Sequence, residues 1–252
     1  MAGFFYNMGR SVRAGVQKGK WIFQSITGSD EDVIKAEYDA GVEIAAEFEK
    51  ESKLESDEPI IELLDEITNA LAARTKNKLR KFSVKAVRMD EPNAFALPGG
   101  FIYITRSLID LCASGDSFRD ELAFILGHEM GHVVRGHAMQ RMVNSTLVNT
   151  ATKAVPIGGA LGRMAVQAGS RFLSAAYSQD HEFEADAFGL KLSRAAGFDE
   201  QATVKMMQRL QTLAGDHPED SLGAYFASHP PFKARIRELR KRMRGSDDAT
   251  AK

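Results

Sequence analysis

His128-Glu129-Met130-Gly131-His132 is the stretch on which the reading of this chain turns. On an α-helix, residues four apart lie nearly above one another. The two imidazoles of an H-E-x-x-H run therefore converge on one metal ion, and the Glu between them is placed to take a proton from a water beside it. The implied chemistry is zinc-assisted hydrolysis, most often of a peptide bond. Such a run arises by chance roughly once in a hundred chains of this length, and its surroundings favour design. Residues 118–143 contain no Pro and mostly favour helix. Ser117-Phe118-Arg119-Asp120 has the form of a capping box with Asp in place of Glu. Leu122, Ile125, Leu126, Met130 and Val133 make an apolar stripe at helical spacing. The motif is expected on a largely buried helix, where Gly127 and Gly131 leave room for the metal or for a close-packed neighbour.

A catalytic zinc takes three protein ligands and keeps an open position. The chain has six His. His137 lies nine residues after His128, which at about 100° per residue is the opposite face of a continuous helix. A metzincin would need a third His one position later and Gly two residues before His137; the chain has Ala138 and Arg135 there. His137 is thus expected to be a helix-surface or packing residue. The better candidate lies in Ser178-Gln179-Asp180-His181-Glu182-Phe183-Glu184-Ala185-Asp186. Glu182 and Asp186 share a helix face, which suits one carboxylate as a ligand and a second that orients a ligand His through its other ring nitrogen. Glu184 should point elsewhere, and His181, a rival ligand, should point about 100° away from Glu182. A solvated acidic face is the plain alternative for this pair, and the nearby H-E-x-x-H counts against it.

Together these motifs resemble the gluzincin metallopeptidase family that contains HtpX, the BepA-like proteases and the CaaX prenyl endopeptidases. Two more segments match in order. Asn93-Ala94-Phe95-Ala96-Leu97-Pro98-Gly99-Gly100, followed by Phe101-Ile102-Tyr103-Ile104-Thr105, is similar to the family's edge strand beside the active site. Ser228-His229-Pro230-Pro231-Phe232-Lys233-Ala234-Arg235-Ile236 resembles its late His-Pro…Arg-Ile element. The resemblance implies a zincin-type domain with one zinc ion held by His128, His132 and Glu182, Glu129 as the base and Asp186 behind a ligand. It implies that Asn93, Ala94, Phe95 and Ala96 bind an extended polypeptide substrate by strand addition. It also implies a role in the quality control of unfolded or damaged proteins. His229 is implied to face the zinc, either occupying the open position in a latent enzyme or bonding the tetrahedral intermediate; capping of the last helix is the third reading. Arg235 is the nearest cation to steady an oxyanion or the Glu182 and Asp186 carboxylates. An inactive, plugged scaffold that acts by binding partner proteins is the alternative, and the intact Glu129 argues against it. A purely structural zinc site would usually be rich in Cys, and the chain has one Cys.

At 252 residues the chain suits one main domain. We expect a helical extension over 1–56, the catalytic domain over 57–243 and a disordered tail over 244–252. A formal net charge of −1 argues against nucleic-acid binding. Cys112, alone, allows no internal disulfide and fits a reducing compartment. No conventional signal peptide is evident at Met1, and no spanning helix is expected, since residues 144–177 are interrupted by Lys153, Pro156, Arg163 and Arg171. That segment reads as a helical hairpin or a lid over the cleft. The expected location is cytoplasmic, with membrane association through residues 4–26 as one option. The first 28 residues carry Arg10, Arg13, Lys18 and Lys20 and no acid. Phe5, Met8, Val12, Val16, Phe23 and Ile26 fall on one helical face, suited to packing on the domain or to resting on an anionic membrane.

The remaining pattern is α+β. Helices are expected from Ser29 to about Leu54 and from Asp57-Glu58-Pro59 onward, the latter with a stripe of Ile60, Leu63, Leu64, Ile67 and Leu71. Lys81 to Met89 alternates as a strand, and Asn93 to Thr105 gives two extended stretches about a Pro98-Gly99 turn. After Ser107 everything reads as helix. The expected architecture is a small antiparallel sheet against many helices, with an edge strand bordering the zinc site.

Overall fold

The structure is a computed structural model that describes residues 30–141, 177–214, 229 and 232–250. The stretches 4–26 and 144–176, for which an amphipathic helix and a hairpin or lid are expected, lie outside the described residues. In chain order the elements are α1 (Asp30–Glu51), α2 (Glu58–Ala72), β1 (Ser83–Val87), β2 (Ala94–Leu97), a 3-10 turn at Pro98–Gly100, β3 (Phe101–Thr105), α3 (Arg106–Ala113), α4 (Phe118–Val134), α5 (Gln179–Ala196), α6 (Gln201–Ala214) and α7 (Phe232–Thr250). The protein is mostly helical with a small sheet, as the α+β pattern implies. Among the described residues no helix is long and apolar enough to cross a membrane.

Hydrophobic pattern explains α4. Every residue from Glu121 to Val133 is buried, so the expected stripe is one side of a helix enclosed all round. It packs most extensively on α5, and also against β2, α2 and α6. Of its buried polar residues, Glu121 is matched by an ion pair with Arg209 of α6, and His128, Glu129 and His132 belong to the candidate site. The expected capping box at Ser117 does not form, since its side chain makes no capping bond. Its partner Asp120 instead accepts from the Asp199 amide at 2.9 Å, just beyond α5. A tertiary donor has drawn the carboxylate away from the local one. Ser178 does cap α5, accepting from His181 N at 3.2 Å.

The sheet is mixed, with order β1-β3-β2, where the sequence suggested an antiparallel one. β2 and β3 form the expected tight hairpin around Gly99 and Gly100, whose φ values of 81° and 94° favour glycine. Residues 88–93 carry the chain from β1 to the far edge, so β3 returns between the other two and runs parallel to β1, Ser83 opposite Phe101 and Val87 opposite Thr105. β2 is thereby left at the edge nearest α4. Helix α7 continues through Thr250, past Arg244, where the sequence suggested a tail. Leu239 and Met243 are buried against the core, and extending an anchored helix needs no new nucleus.

The two helices that carry the motifs touch backbone to backbone. A Cβ on Gly189 would lie 2.8 Å from His128 N, and one on Gly131 would lie 3.0 Å from Ala185 Cα. The room left by these glycines is filled by the neighbouring helix. Gly189→Ala should therefore destabilise by about 1–3 kcal/mol through overpacking, against the helix-propensity gain of about 1 kcal/mol that Ala normally brings. Thermal unfolding checks this. A melting point equal to or above wild type would contradict so close an approach of α4 and α5.

Candidate metal centre

The site begins with two helices. Helix α4 presents His128, Glu129 and His132 on its enclosed surface, and α5 presents Glu182 and Asp186 from its first two turns. His229 and Arg235 come from the other end of the described chain, Arg235 from the first turn of α7. All seven residues are at most 2% exposed. Ligand atoms of His128, His132, Glu182 and His229 all lie within 4.8 Å of one another. The Nε2 atoms of His128 and His132 are 3.0 Å apart. Glu182 Oε1 is 3.3 Å from His132 Nε2, and Oε2 is 3.7 Å from His128 Nε2.

The outer ring atoms explain why the inner ones converge. His128 Nδ1 lies 2.9 Å from Asp186 Oδ1, so its proton sits on that side and the Nε2 lone pair points inward. Arg235 binds both oxygens of Asp186, at 2.8 and 2.7 Å, and reaches Glu182 Oε2 at 2.7 Å and the His229 carbonyl at 3.1 Å. Burial opposes ionisation of Glu182 and Asp186. The Arg235 guanidinium outweighs it and holds both carboxyls below the usual range, Glu182 well below. Burial likewise presses His128 towards its neutral form, yet its bond to Asp186 leaves its pKa raised overall. At His132 burial outweighs the opposing pull of the Glu182 carboxylate, so the imidazole is held well below the ordinary range and stays neutral and able to ligate.

Glu129 faces the same space. Both of its oxygens are buried and have no hydrogen-bond partner among the described residues, although His229 Nε2 comes within 3.6 Å of Oε1. A buried carboxylate without a donor is costly, and it fits a group whose partner arrives with metal, water or substrate. Converging imidazole lone pairs and one anionic oxygen form a donor set that suits zinc, with the Glu129 carboxylate beside it. Cys112, buried in the core with its thiol pushed up by burial, is no part of it.

Several residues lie where the sequence did not suggest. His137 is buried, which fits the packing reading, but it is not turned away on the opposite face: its Nδ1 is 3.1 Å from His132 Nδ1. The reason is that α4 ends at Val134 and the chain turns through Gly136, with φ of 74°, before a new helical turn at 137–141. The face rule of a continuous helix stops applying there. Gly136 after Arg135 was the available stop signal. Burial pushes the His137 imidazole down to about 4. Tyr177, which the sequence did not single out, stacks on the His132 ring at 3.7 Å and 14°. His181 lies outside the metal cluster and stacks on His137 at 4.0 Å. The segment Asn93–Ala96 lies along the edge strand packed on α4. Its side chains are buried, and both polar atoms of Asn93 lack hydrogen-bond partners among the described residues.

Comparison with known proteins agrees with this geometry. Residues 62–243 match Peptidase family M48. The chain is 26% identical over 246 residues to the metalloprotease YcaL of Escherichia coli, covering 93% of this chain and 89% of that one. It is 29% identical over 163 residues to the mitochondrial metalloendopeptidase OMA1 of Schizosaccharomyces pombe, covering 63% of this chain and 46% of that one. It is 28% identical over 196 residues to the beta-barrel assembly-enhancing protease of Yersinia pestis, covering 73% of this chain and 39% of that one. The matched region thus spans less than half the length of two of these relatives and most of the third.

Proposed function

The chain belongs to peptidase family M48 and carries a zinc metalloendopeptidase domain, and we propose that this domain, residues 57–243, hydrolyses peptide bonds in unfolded or damaged polypeptides. The observation that carries the reading is the buried cluster of His128, His132, Glu182 and His229 around the orphaned carboxylate of Glu129. His128, His132 and Glu182 would hold the ion. Zinc there would polarise the scissile carbonyl and acidify a water. Glu129 accepts the proton of the attacking water and passes it to the leaving amine. Asp186 holds the His128 ring in place, and Arg235 holds Asp186 and Glu182.

A preference for unfolded chains is supported by the edge position of β2. Addition of an extended strand there uses main-chain hydrogen bonds, which are sequence-tolerant and accessible only in an unfolded segment. Asn93, Ala94, Phe95 and Ala96 form that edge in this proposal. Cytoplasmic location, with membrane contact through residues 4–26, belongs to the same proposal. It is supported by the basic amphipathic pattern of that stretch and by the chain's use of a single cysteine.

His229 gives the reading its regulatory part. Its Nδ1 lies 3.4 Å from His128 Nε2 and 3.0 Å from Glu182 Oε1. An imidazole in that position would take the coordination site that a water and substrate need, and so hold the enzyme latent. Wild-type protein should contain one zinc and degrade casein in a chelator-sensitive manner, and His229→Ala should retain zinc and cleave faster. Wild-type protein that took up no zinc would end the metallopeptidase reading. A zinc-loaded but inactive His229→Ala would assign this residue to stabilising the tetrahedral intermediate instead.

A further inference from the structure

We infer that His137 and Tyr177 are positioning residues for His132, together setting its tautomer and ring plane so that Nε2 faces the metal. The inference rests on the metallopeptidase reading. A histidine that ligates through Nε2 carries its proton on Nδ1 and needs an acceptor there. For His128 that acceptor is Asp186. For His132, the group at hydrogen-bond distance is an imidazole, with Nδ1 of His137 3.1 Å away. His137 must then accept at Nδ1, which places its own proton on Nε2. That nitrogen faces Glu184, 3.6 Å from Oε2. Glu184 is half exposed and has Arg135 Nε 3.8 Å from the same oxygen. The outermost N–H of this chain faces a carboxylate at ion-pair range, longer than the 2.9 Å that Asp186 keeps to His128 and one residue farther from the metal.

A hydrogen bond at one ring atom fixes where that edge points but leaves the ring free to tilt. Tyr177 removes that freedom. Its ring lies nearly parallel to His132 at 3.7 Å, and Arg141 Cζ lies 4.5 Å over the Tyr177 ring. His181 stacks on His137 in the same way, at 4.0 Å and 19°. The placement is economical in sequence. Tyr177 directly precedes Ser178, the cap of α5, so the turn that starts the helix bearing Glu182 also sets the second imidazole. His137 follows the end of α4, so both site helices are tied together through His132. The Tyr177 hydroxyl is buried towards the Arg141 side, and the contact with His132 is made by the ring alone.

The test measures zinc affinity by chelator competition and the ligand-field spectrum of the cobalt(II)-substituted protein, neither of which requires turnover. His137→Phe keeps the ring volume but offers no acceptor, and Tyr177→Ala removes the stack. Each should weaken zinc binding by about 10–100-fold and alter the cobalt spectrum, whereas Tyr177→Phe should match wild type. Folded His137→Phe and Tyr177→Ala proteins with wild-type affinity and spectrum would overturn the inference, as would a Tyr177→Phe protein as weak as Tyr177→Ala. Should either variant fail to fold, the wild-type cobalt protein still decides. The paramagnetically shifted His132 Nδ1–H should exchange slowly with solvent, and fast exchange would refute the bond to His137. A wild-type protein that bound no metal would instead remove the metallopeptidase reading, a result distinct from all of these.

Discussion

Glu129→Gln should bind zinc as tightly as wild type and hydrolyse casein about 10²–10⁴-fold more slowly, the range a positioned general base contributes. The substitution preserves shape and removes the basic oxygen. Glu129 is fully buried on α4 between the two imidazoles, and both its oxygens lack donors among the described residues. Gln therefore breaks no existing hydrogen bond there, and α4 should keep its packing. Metal content by elemental analysis, melting temperature and turnover under saturating casein separate the outcomes. Turnover within tenfold of wild type would take the proton-transfer role away from Glu129. Loss of zinc with loss of activity would mean that it acts on the metal site instead.

Arg235→Met should be the most destabilising single change in the site. The guanidinium is fully buried and lies within 2.8 Å of oxygens on both Asp186 and Glu182. Removing one partner from a buried ion pair typically costs about 3–5 kcal/mol, and here two carboxylates lose the same cation. For a domain of this size that is a drop in melting temperature of roughly 6–20 °C. The measurement belongs on zinc-free protein, because a bound cation would stabilise the same carboxylates. Arg235→Lys should recover little, since one ammonium cannot reproduce the two parallel bonds to Asp186. Arg242→Met is the control. That residue sits on the same helix, half exposed, in an i,i+4 pair with Glu238 at 3.1 Å, and such pairs contribute about 0.3–0.5 kcal/mol. Equal effects of the two substitutions would show that Arg235 does not hold the site together.

Much of the fold was legible because its signals are local. Leu122, Ile125, Leu126, Met130 and Val133 are all buried on α4, as their spacing implies. Pro59 begins α2, and Pro98 and Gly99 turn the hairpin. Failures arose where a distant group overrode a local preference. Asp120 fits a capping box, but the Asp199 amide takes its carboxylate. His137 was assigned by extending α4 beyond Val134, and the turn at Gly136 reset the phase and folded it back onto His132. The strands read as antiparallel because hairpins are the simplest connection; the longer path over 88–93 places β1 parallel to β3.

The sequence by itself determined the chemistry available. Two imidazoles and a carboxylate base at helical spacing, and two more carboxylates at helical spacing downstream, follow from a period of about 3.6 residues, which neighbouring residues alone impose. Tertiary structure decided which groups meet. Glycine-mediated contact between α4 and α5 brings Glu182 to within 3.3 Å of His132, and the start of α7 supplies the guanidinium that holds Asp186 and Glu182 as anions. No periodicity predicts that Tyr177 lies flat on His132 or that His137 meets its Nδ1. Those contacts depend on how helix ends turn and how enclosed surfaces pack, which the whole core decides at once.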